Sequence, residues 1–172
     1  MYNIREEHKN DIADITKVNN SAFEQESEGS MVEAIRETNN FDPHLSLVAE
    51  TETGEIVGHI LFSVVTIATK EGAAKTLALA PMSVKPQYQK QGIGSSLVKQ
   101  GLRRCKDLGY SSVIVLGHAD YYPRFGFIPA SKKGIKPPFE VADEFFMVYE
   151  TKTGALDNVE GTVNYPDAFL DV

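Results

Sequence analysis

Residues 89–96, QKQGIGSS, place two glycines two positions apart, just where a polar loop gives way to an apolar-striped segment. The first amides of a helix have no internal acceptor, and the helix dipole adds partial positive charge at that end. Gly92 and Gly94 lack the Cβ atoms that would block a ligand, and they permit unusual dihedrals. The N–H groups of Gln91, Gly92, Ile93, Gly94 and Ser95 are therefore candidate donors to a phosphate, with the Ser95 hydroxyl beside them. A glycine turn that only packs closely against a sheet carries the same two residues, so the glycines alone leave both readings open. Two common phosphate motifs are excluded. There is no Walker GK[ST] ending. In the dinucleotide pattern the third glycine would fall on Leu97, and the stretch from Val84 to Lys90 is too long for its tight turn. A pyrophosphate ligand of another class fits better.

A helix mouth is useful only if a sheet holds it. Ile93, Leu97, Val98, Gly101, Leu102, Cys105 and Leu108 form one apolar stripe, and Gly109 is a stop signal. Before the helix, KTLALAPMSV reads as a strand. Pro81 within it cannot donate to a ladder, which predicts an edge or a bulge. After the helix, SSVIVLGH reads as a buried strand. Upstream lie a strand in YNIRE and a helix carrying Ile12, Ile15, Val18 and Phe23. A second short helix follows, with Met31, Val32 and Ile35 and Ser30 as its cap. LSLVAE and EIVGHILFSVVTIAT are strands joined across TETG. Downstream, YYPRFGF predicts one helical turn breaking into a strand at Phe127. EFFMVYET predicts a late strand, and GALDNVEGTVNYPDAFL a turn with a short terminal pairing. The order is β-α-α-β-β-β-α-β-α-β, an α/β chain with a mixed sheet. Its strand–helix–strand crossover should be right-handed, with parallel strands.

The 172 residues suit one domain spanning 1–172. A net charge of −7 argues against generic nucleic-acid binding. It suits a cationic or amine partner, and equally simple solubility. No apolar run approaches the roughly 18 residues that cross a bilayer, and MYNIREEHKN has no apolar signal core. A cytoplasmic protein with no membrane partner is expected. The single Cys105 excludes an internal disulfide and a cysteine-built zinc cluster, and no metal is expected.

The stretch LAPMSVKPQYQKQGIGSSLVKQGL resembles the acyl-coenzyme A signature of the GNAT superfamily of N-acetyltransferases. That signature is an apolar strand, a Val-x-Pro exit, then Gln/Arg-x-x-Gly-x-Gly/Ala opening a helix; here the last part is Gln89, Gly92 and Gly94. The element order matches as well. YYPRFGF resembles the Tyr-x-x-x-Gly-Phe element, with Tyr122, Gly126 and Phe127 in register. VLGHADYYPRFGF, together with GALDNVEGTVNY, resembles the YhbS-like branch. The resemblance covers most of the chain. It implies a GNAT-like acyl-CoA N-acyltransferase fold, whose central sheet is mostly antiparallel with one splayed parallel pair. It implies acetyl-CoA as co-substrate, with the pyrophosphate on the amides of Gln89, Lys90, Gln91, Gly92, Ile93, Gly94 and Ser95. The pantetheine arm would run along Met82, Ser83 and Val84 like an added strand. A bulge at Pro81 would then open a V-shaped slot for the thioester.

Acyl transfer to an amine needs a neutral amine, a stabilised oxyanion and a proton for the leaving thiolate. An alkyl thiol has a pKa of about 8.5 and tyrosine about 10, so a tyrosine can supply that proton at modest cost. The resemblance places Tyr122 in that role, within an aromatic cluster of Tyr121, Phe125 and Phe127 that must also contribute core. A backbone N–H near Met82 or Val84 is expected to serve the oxyanion. Where many family members carry an Asn, this chain has His118 and Asp120, so how the arm and the acid are held departs from the pattern. His118 and Glu28 are the candidate acceptor-site residues. Glu28 belongs to a cluster with Glu24, Glu26 and Glu33, in a region that tends to wall the acceptor site in this family; a solvated acidic surface is the alternative. Cys105 lies on the helix stripe as a small hydrophobe, so direct transfer in a ternary complex is expected rather than an acyl-enzyme. His44 and His59 are expected to have no chemical role. The acceptor is expected to be a primary amine, either a small molecule or a peptide, and the late strand would offer an edge for a homodimer. The alternative function is a non-catalytic acyl-CoA-binding sensor or interaction module, which needs Gly92 and Gly94 but not Tyr122.

Overall fold

The structure is a computed structural model and describes residues 2–169. β1 (Asn3–Glu6) leads into α1 (Ile12–Phe23) and α2 (Ser27–Arg36). β2 (Ser46–Glu50), β3 (Ile56–Thr69) and β4 (Gly72–Val84) form an antiparallel meander. α3 (Ile93–Asp107) crosses over to β5 (Ser112–Leu116), which runs parallel to β4. One 3-10 turn, Tyr122–Phe125, precedes β6 (Ile128–Pro129), β7 (Ile135–Lys136), β8 (Phe146–Glu150) and β9 (Gly161–Asn164). The strands make one sheet in the order β1-β2-β3-β4-β5-β8-β6, with β9 joining β3 to β7. The expected order holds up to the last helix, which is reduced to a single turn and is followed by four strands rather than one. Pro123 cannot donate there, and Gly126 leaves in a left-handed conformation (φ 104°).

The sheet is covered on both faces. Ile60 and Phe62 of β3 pack with α3, while Leu61 between them packs with α1 and α2. This is strand alternation putting neighbours on opposite faces. Leu77, Leu79, Val113 and Val115 join the α3 side. Ala78, Ile114, Phe146 and Val148 face the other side, under the C-terminal segments. The α3 stripe buries Ile93, Leu97, Val98, Leu102 and Cys105, and each large aliphatic among them stabilises the fold by about 1.5–3 kcal/mol. Gly101 lets this helix lie close to the sheet, because a Cβ there would come within 2.5 Å of the Phe62 ring. Gly109 (φ 89°) ends the helix as its sequence position suggests. The Tyr110 amide returns to the Cys105 carbonyl and the Gly109 amide to Lys106, which satisfies the last carbonyls.

Four expectations are corrected. Leu108, read as the last residue of the α3 stripe, lies at the helix cap and is 41% exposed. α2 begins at Ser27, with Glu26 at the cap position, so Ser30 lies inside the helix. Phe23, read as part of the α1 stripe, is 40% exposed because it ends the helix over a cleft rather than over the core. β8 is not a free edge: β6 occupies its outer side at Met147 and Val148.

Beneath α1 runs a buried polar chain. The Ser83 hydroxyl donates to Asn19 Oδ1 (2.6 Å), and Asn19 Nδ2 meets His59 Nδ1 (3.1 Å). His59 Nε2 meets the Ser46 hydroxyl (2.9 Å), which donates to Glu7, and Glu7 pairs with Arg36. Asn19 can only donate through Nδ2, so His59 carries its proton on Nε2 and hands a hydrogen bond to Ser46. Complete burial, reinforced by the Arg36 charge, lowers the His59 pKa to about 3. The unfolded chain takes up that proton near pH 6.5 while the folded one does not. This contribution to stability is therefore complete above pH 6.5 and is lost as pH falls towards 3. The slope approaches about 1.4 kcal/mol per pH unit. Denaturant titrations between pH 7 and 4 are expected to show this slope, and His59→Gln is expected to flatten it. An identical slope in the variant would place the acid sensitivity elsewhere.

Candidate active site

β4 and β5 pair only at Leu77↔Val113 and Ala78↔Ile114. Just before these pairs, the buried hydroxyls of Thr76 and Ser112 meet at 2.7 Å and pin the vertex. Beyond them the register of β4 against β3 slips: Ile60 faces Met82 but Phe62 faces Leu79. Ala80 and Pro81 thus occupy the space opposite Leu61 alone, which is the bulge that Pro81 announces. A bulge bends its strand, and β4 leaves β5. The resulting cleft has a volume of about 600 Å³, with Ala78–Met82 on one side and Ile114–His118 on the other.

The α3 N-terminus stands at one mouth of this cleft. Gly92 is its cap residue in a left-handed conformation (φ 85°), and Lys90 is also left-handed (φ 63°). The first helical bond is donated by Ser96 to the Gly92 carbonyl. The amides of Ile93, Gly94 and Ser95 therefore precede the helical ladder. A Cβ on Gly94 would lie 3.2 Å from the Tyr121 hydroxyl and 3.3 Å from the Met82 sulfur and methyl. A Cβ on Gly92 would meet nothing within 4 Å. The loop thus offers an open cradle of donors, and its residues fit a diphosphate. Gln89 differs from expectation. Its amide bonds the Pro86 carbonyl, and its side chain donates to the Val84 carbonyl (2.9 Å), so it braces the loop. The Gln91 side chain is likewise engaged, accepting from the Tyr2 hydroxyl at 2.5 Å. Lys90 is exposed at the loop tip.

The three residues expected along the arm are split. Met82 lines the cleft, whereas Val84 packs in the core under α3. The Ser83 side chain is buried on the opposite face against Asn19. What remains available is the edge of β4 beyond Ala78, which β5 no longer covers.

Tyr122 lines the cleft and is 8% exposed. Its ring lies on Gly117, where any Cβ would overlap it, and packs edge-on against Tyr121 (5.1 Å) and Phe127 (5.6 Å). The His118 carbonyl accepts from the amides of Tyr121 and Tyr122 and so fixes the turn. Burial, with a smaller contribution from Tyr121, raises the Tyr122 pKa above the usual tyrosine range. The hydroxyl therefore keeps its proton at neutral pH. The exposed His118 side chain reaches the rim of the cleft, whereas Asp120 does not line it.

Among the four glutamates, only Glu28 enters the cleft. It is 8% exposed, and both its oxygens accept from Gln25 Nε2 (2.8 and 2.9 Å). Glu24, Glu26 and Glu33 are exposed. Cys105 is buried and its pKa is pushed up to about 12 by that burial, so its thiol is inert. Sequence reasoning missed Met31, Phe139, Tyr165 and Phe169, which complete the cleft wall. Among the described residues, no helix is long and apolar enough to cross a membrane.

The geometry has close counterparts. The structure of YhbS from Escherichia coli in complex with CoA superimposes with a TM-score of 0.91 at 30% identity, covering 98% of this chain and 92% of that one. A GNAT family acetyltransferase from Brucella melitensis in complex with acetyl-CoA gives a TM-score of 0.78 at 32% identity, covering 98% of both chains. The N-acetyltransferase YjhQ of Escherichia coli is 39% identical over 137 residues, which is 79% of this chain and 75% of YjhQ. The model of the acetyltransferase (GNAT) family matches residues 12–127. A splayed parallel pair, a bare helix mouth beside it and these matches agree: the chain belongs to the GNAT family of acetyltransferases.

Proposed function

We propose that this protein moves an acetyl group from acetyl-CoA to a primary amine by direct transfer within a ternary complex. One observation carries the reading: a helix mouth with free amides abuts, through Gly94, the Met82 and Tyr121 walls of the β4–β5 cleft that a protonated, buried tyrosine also lines. The relatives with CoA and acetyl-CoA bound support it. The amides of Ile93, Gly94 and Ser95 hold the pyrophosphate, and the uncovered edge of β4 near Met82 holds the pantetheine arm and donates to the oxyanion. The thioester supplies an activated acetyl carbon. The amine nitrogen bonds to that carbon as the carbon–sulfur bond breaks, and Tyr122 gives its proton to the departing sulfur. The proton lost by nitrogen leaves through Glu28, His118 or water, and Tyr122 is reprotonated from solvent. Cys105 takes no part.

The test is release of free thiol from acetyl-CoA in the presence of a panel of primary amines, with acetylated product identified by mass. Thiol release that depends on the amine is expected. Tight coenzyme A binding with no transfer to any amine would identify a sensor instead.

A further inference from the structure

The cleft passes between the splayed strands, and its far mouth differs sharply from the mouth at α3. One bank is Phe23 and Met31, from α1 and α2. The other is Phe139 and Tyr165, and Phe169 closes the end between them, packed against both the α1–α2 core and the C-terminal cluster. The rings of the second bank form a continuous wall. Phe139 and Tyr165 are stacked, with centroids 6.0 Å apart and planes 20° apart, and Tyr165 meets Phe169 at 5.4 Å. Phe23 and Phe139 are each 40% exposed. Large rings left open on both rims of one cleft mark a binding surface rather than incidental exposure. Within this apolar mouth stands a single carboxylate, Glu28. Gln25 is its partner, and among the described residues no Lys, Arg or His pairs with it.

We infer that the acceptor is a small primary amine whose flat apolar body is joined to its ammonium group by a short aliphatic arm. The inference rests on the acetyl-transfer reading above. Glu28 has only the neutral Gln25 amide as its partner, and an arriving ammonium gives it a charge-assisted hydrogen bond that Gln25 cannot. One carboxylate serves one ammonium. The further charges of a polyamine would be set against rings and the Met31 thioether, with no second acid in the cleft lining. A flat ring stacks on the Phe139–Tyr165 wall and covers the exposed face of Phe23. Once the ammonium has passed one proton through Glu28 to water, the short arm lets the neutral nitrogen reach the acetyl carbon beside Tyr122, at the strands. A volume of about 600 Å³ is on the scale of small-molecule sites, and part of it is taken by the acetyl end of the donor. A peptide acceptor would bring backbone polar groups against a wall with few partners for them.

The experiment compares phenethylamine, spermidine and a lysine-containing pentapeptide at saturating acetyl-CoA, by thiol release and product mass. Phenethylamine is expected to exceed both others in kcat/KM by about 30-fold or more. Glu28→Gln is expected to lower its kcat/KM about tenfold or more, and to weaken phenethylamine binding to the coenzyme A complex in calorimetry by a similar factor. Coenzyme A affinity itself should not move. Phe139→Ala removes a ring that is 40% exposed, so it should fold, and it should narrow the preference to about fivefold or less. Spermidine or the peptide outrunning phenethylamine would overturn the acceptor class while leaving acetyl transfer standing. So would a phenethylamine titration that Glu28→Gln leaves unchanged. Failure of coenzyme A to bind, or of every amine to be acetylated, would overturn both.

Discussion

Tyr122→Phe is expected to lower kcat by about 100-fold or more while coenzyme A affinity stays within about twofold, the signature of a lost general acid. The substitution deletes one oxygen and keeps the ring. The contacts with Gly117, Tyr121 and Phe127 belong to ring carbons, so the fold and the cleft wall persist. The pH dependence follows from the direction of the shift. Burial favours the uncharged hydroxyl, so the Tyr122 pKa lies above that of an ordinary tyrosine. The acid is therefore fully loaded at neutral pH and remains so until pH rises past about 10. Loss of this acid will not produce an alkaline fall in kcat below that point. Tyr121→Phe is the control, because its hydroxyl lies beside Gly94 at the helix mouth instead. If Tyr121→Phe cost more turnover than Tyr122→Phe, the two tyrosines would have exchanged roles. If neither slowed transfer, the proton for sulfur would come from solvent.

Gly92→Glu is expected to weaken coenzyme A binding by about 100-fold or more, equivalent to about 2.7 kcal/mol. Two effects add. At φ 85° any side chain is strained, by about 1–2 kcal/mol. The new carboxylate also sits among the donors that the diphosphate needs and repels it. Neither effect disturbs the interior, since the space around Gly92 is open; the free loop can relax away from the strained dihedral, so the strain falls on the bound state and thermal stability should fall only slightly. Gly92→Ala separates the two, because it adds the strain without the charge and should cost only about tenfold. Calorimetric titration with coenzyme A reads both variants. An unchanged affinity in Gly92→Glu would refute the pyrophosphate site.

Much of the donor side was legible because it is written in local rules. The α3 stripe, Gly109 as its stop and the Pro81 bulge each follow from one backbone constraint at one position. The side-chain split of Met82, Ser83 and Val84 was partly legible too. Alternation along a strand sets Ser83 apart from its neighbours, and here it turns to Asn19. Glu28 is set apart from the three neighbouring glutamates by its spacing. It sits three, four and seven residues before Met31, Val32 and Ile35, on the buried face of α2. The aromatic wall was not legible. Phe139, Tyr165 and Phe169 come from irregular segments without periodicity, and only the tertiary course of β7 and β9 brings them to one mouth. Phe23 was misread for the opposite reason: its helical spacing was correct, but the helix overhangs the cleft there.

The family match ends at residue 127, whereas the stacked rings of the far mouth begin at Phe139. The Phe139–Tyr165–Phe169 wall thus lies outside the stretch that carries the helix mouth, Glu28 and Tyr122. With the acceptor seated as proposed, substitutions in that later stretch would retune the fit of its apolar body and leave Glu28, Tyr122 and the helix mouth in place.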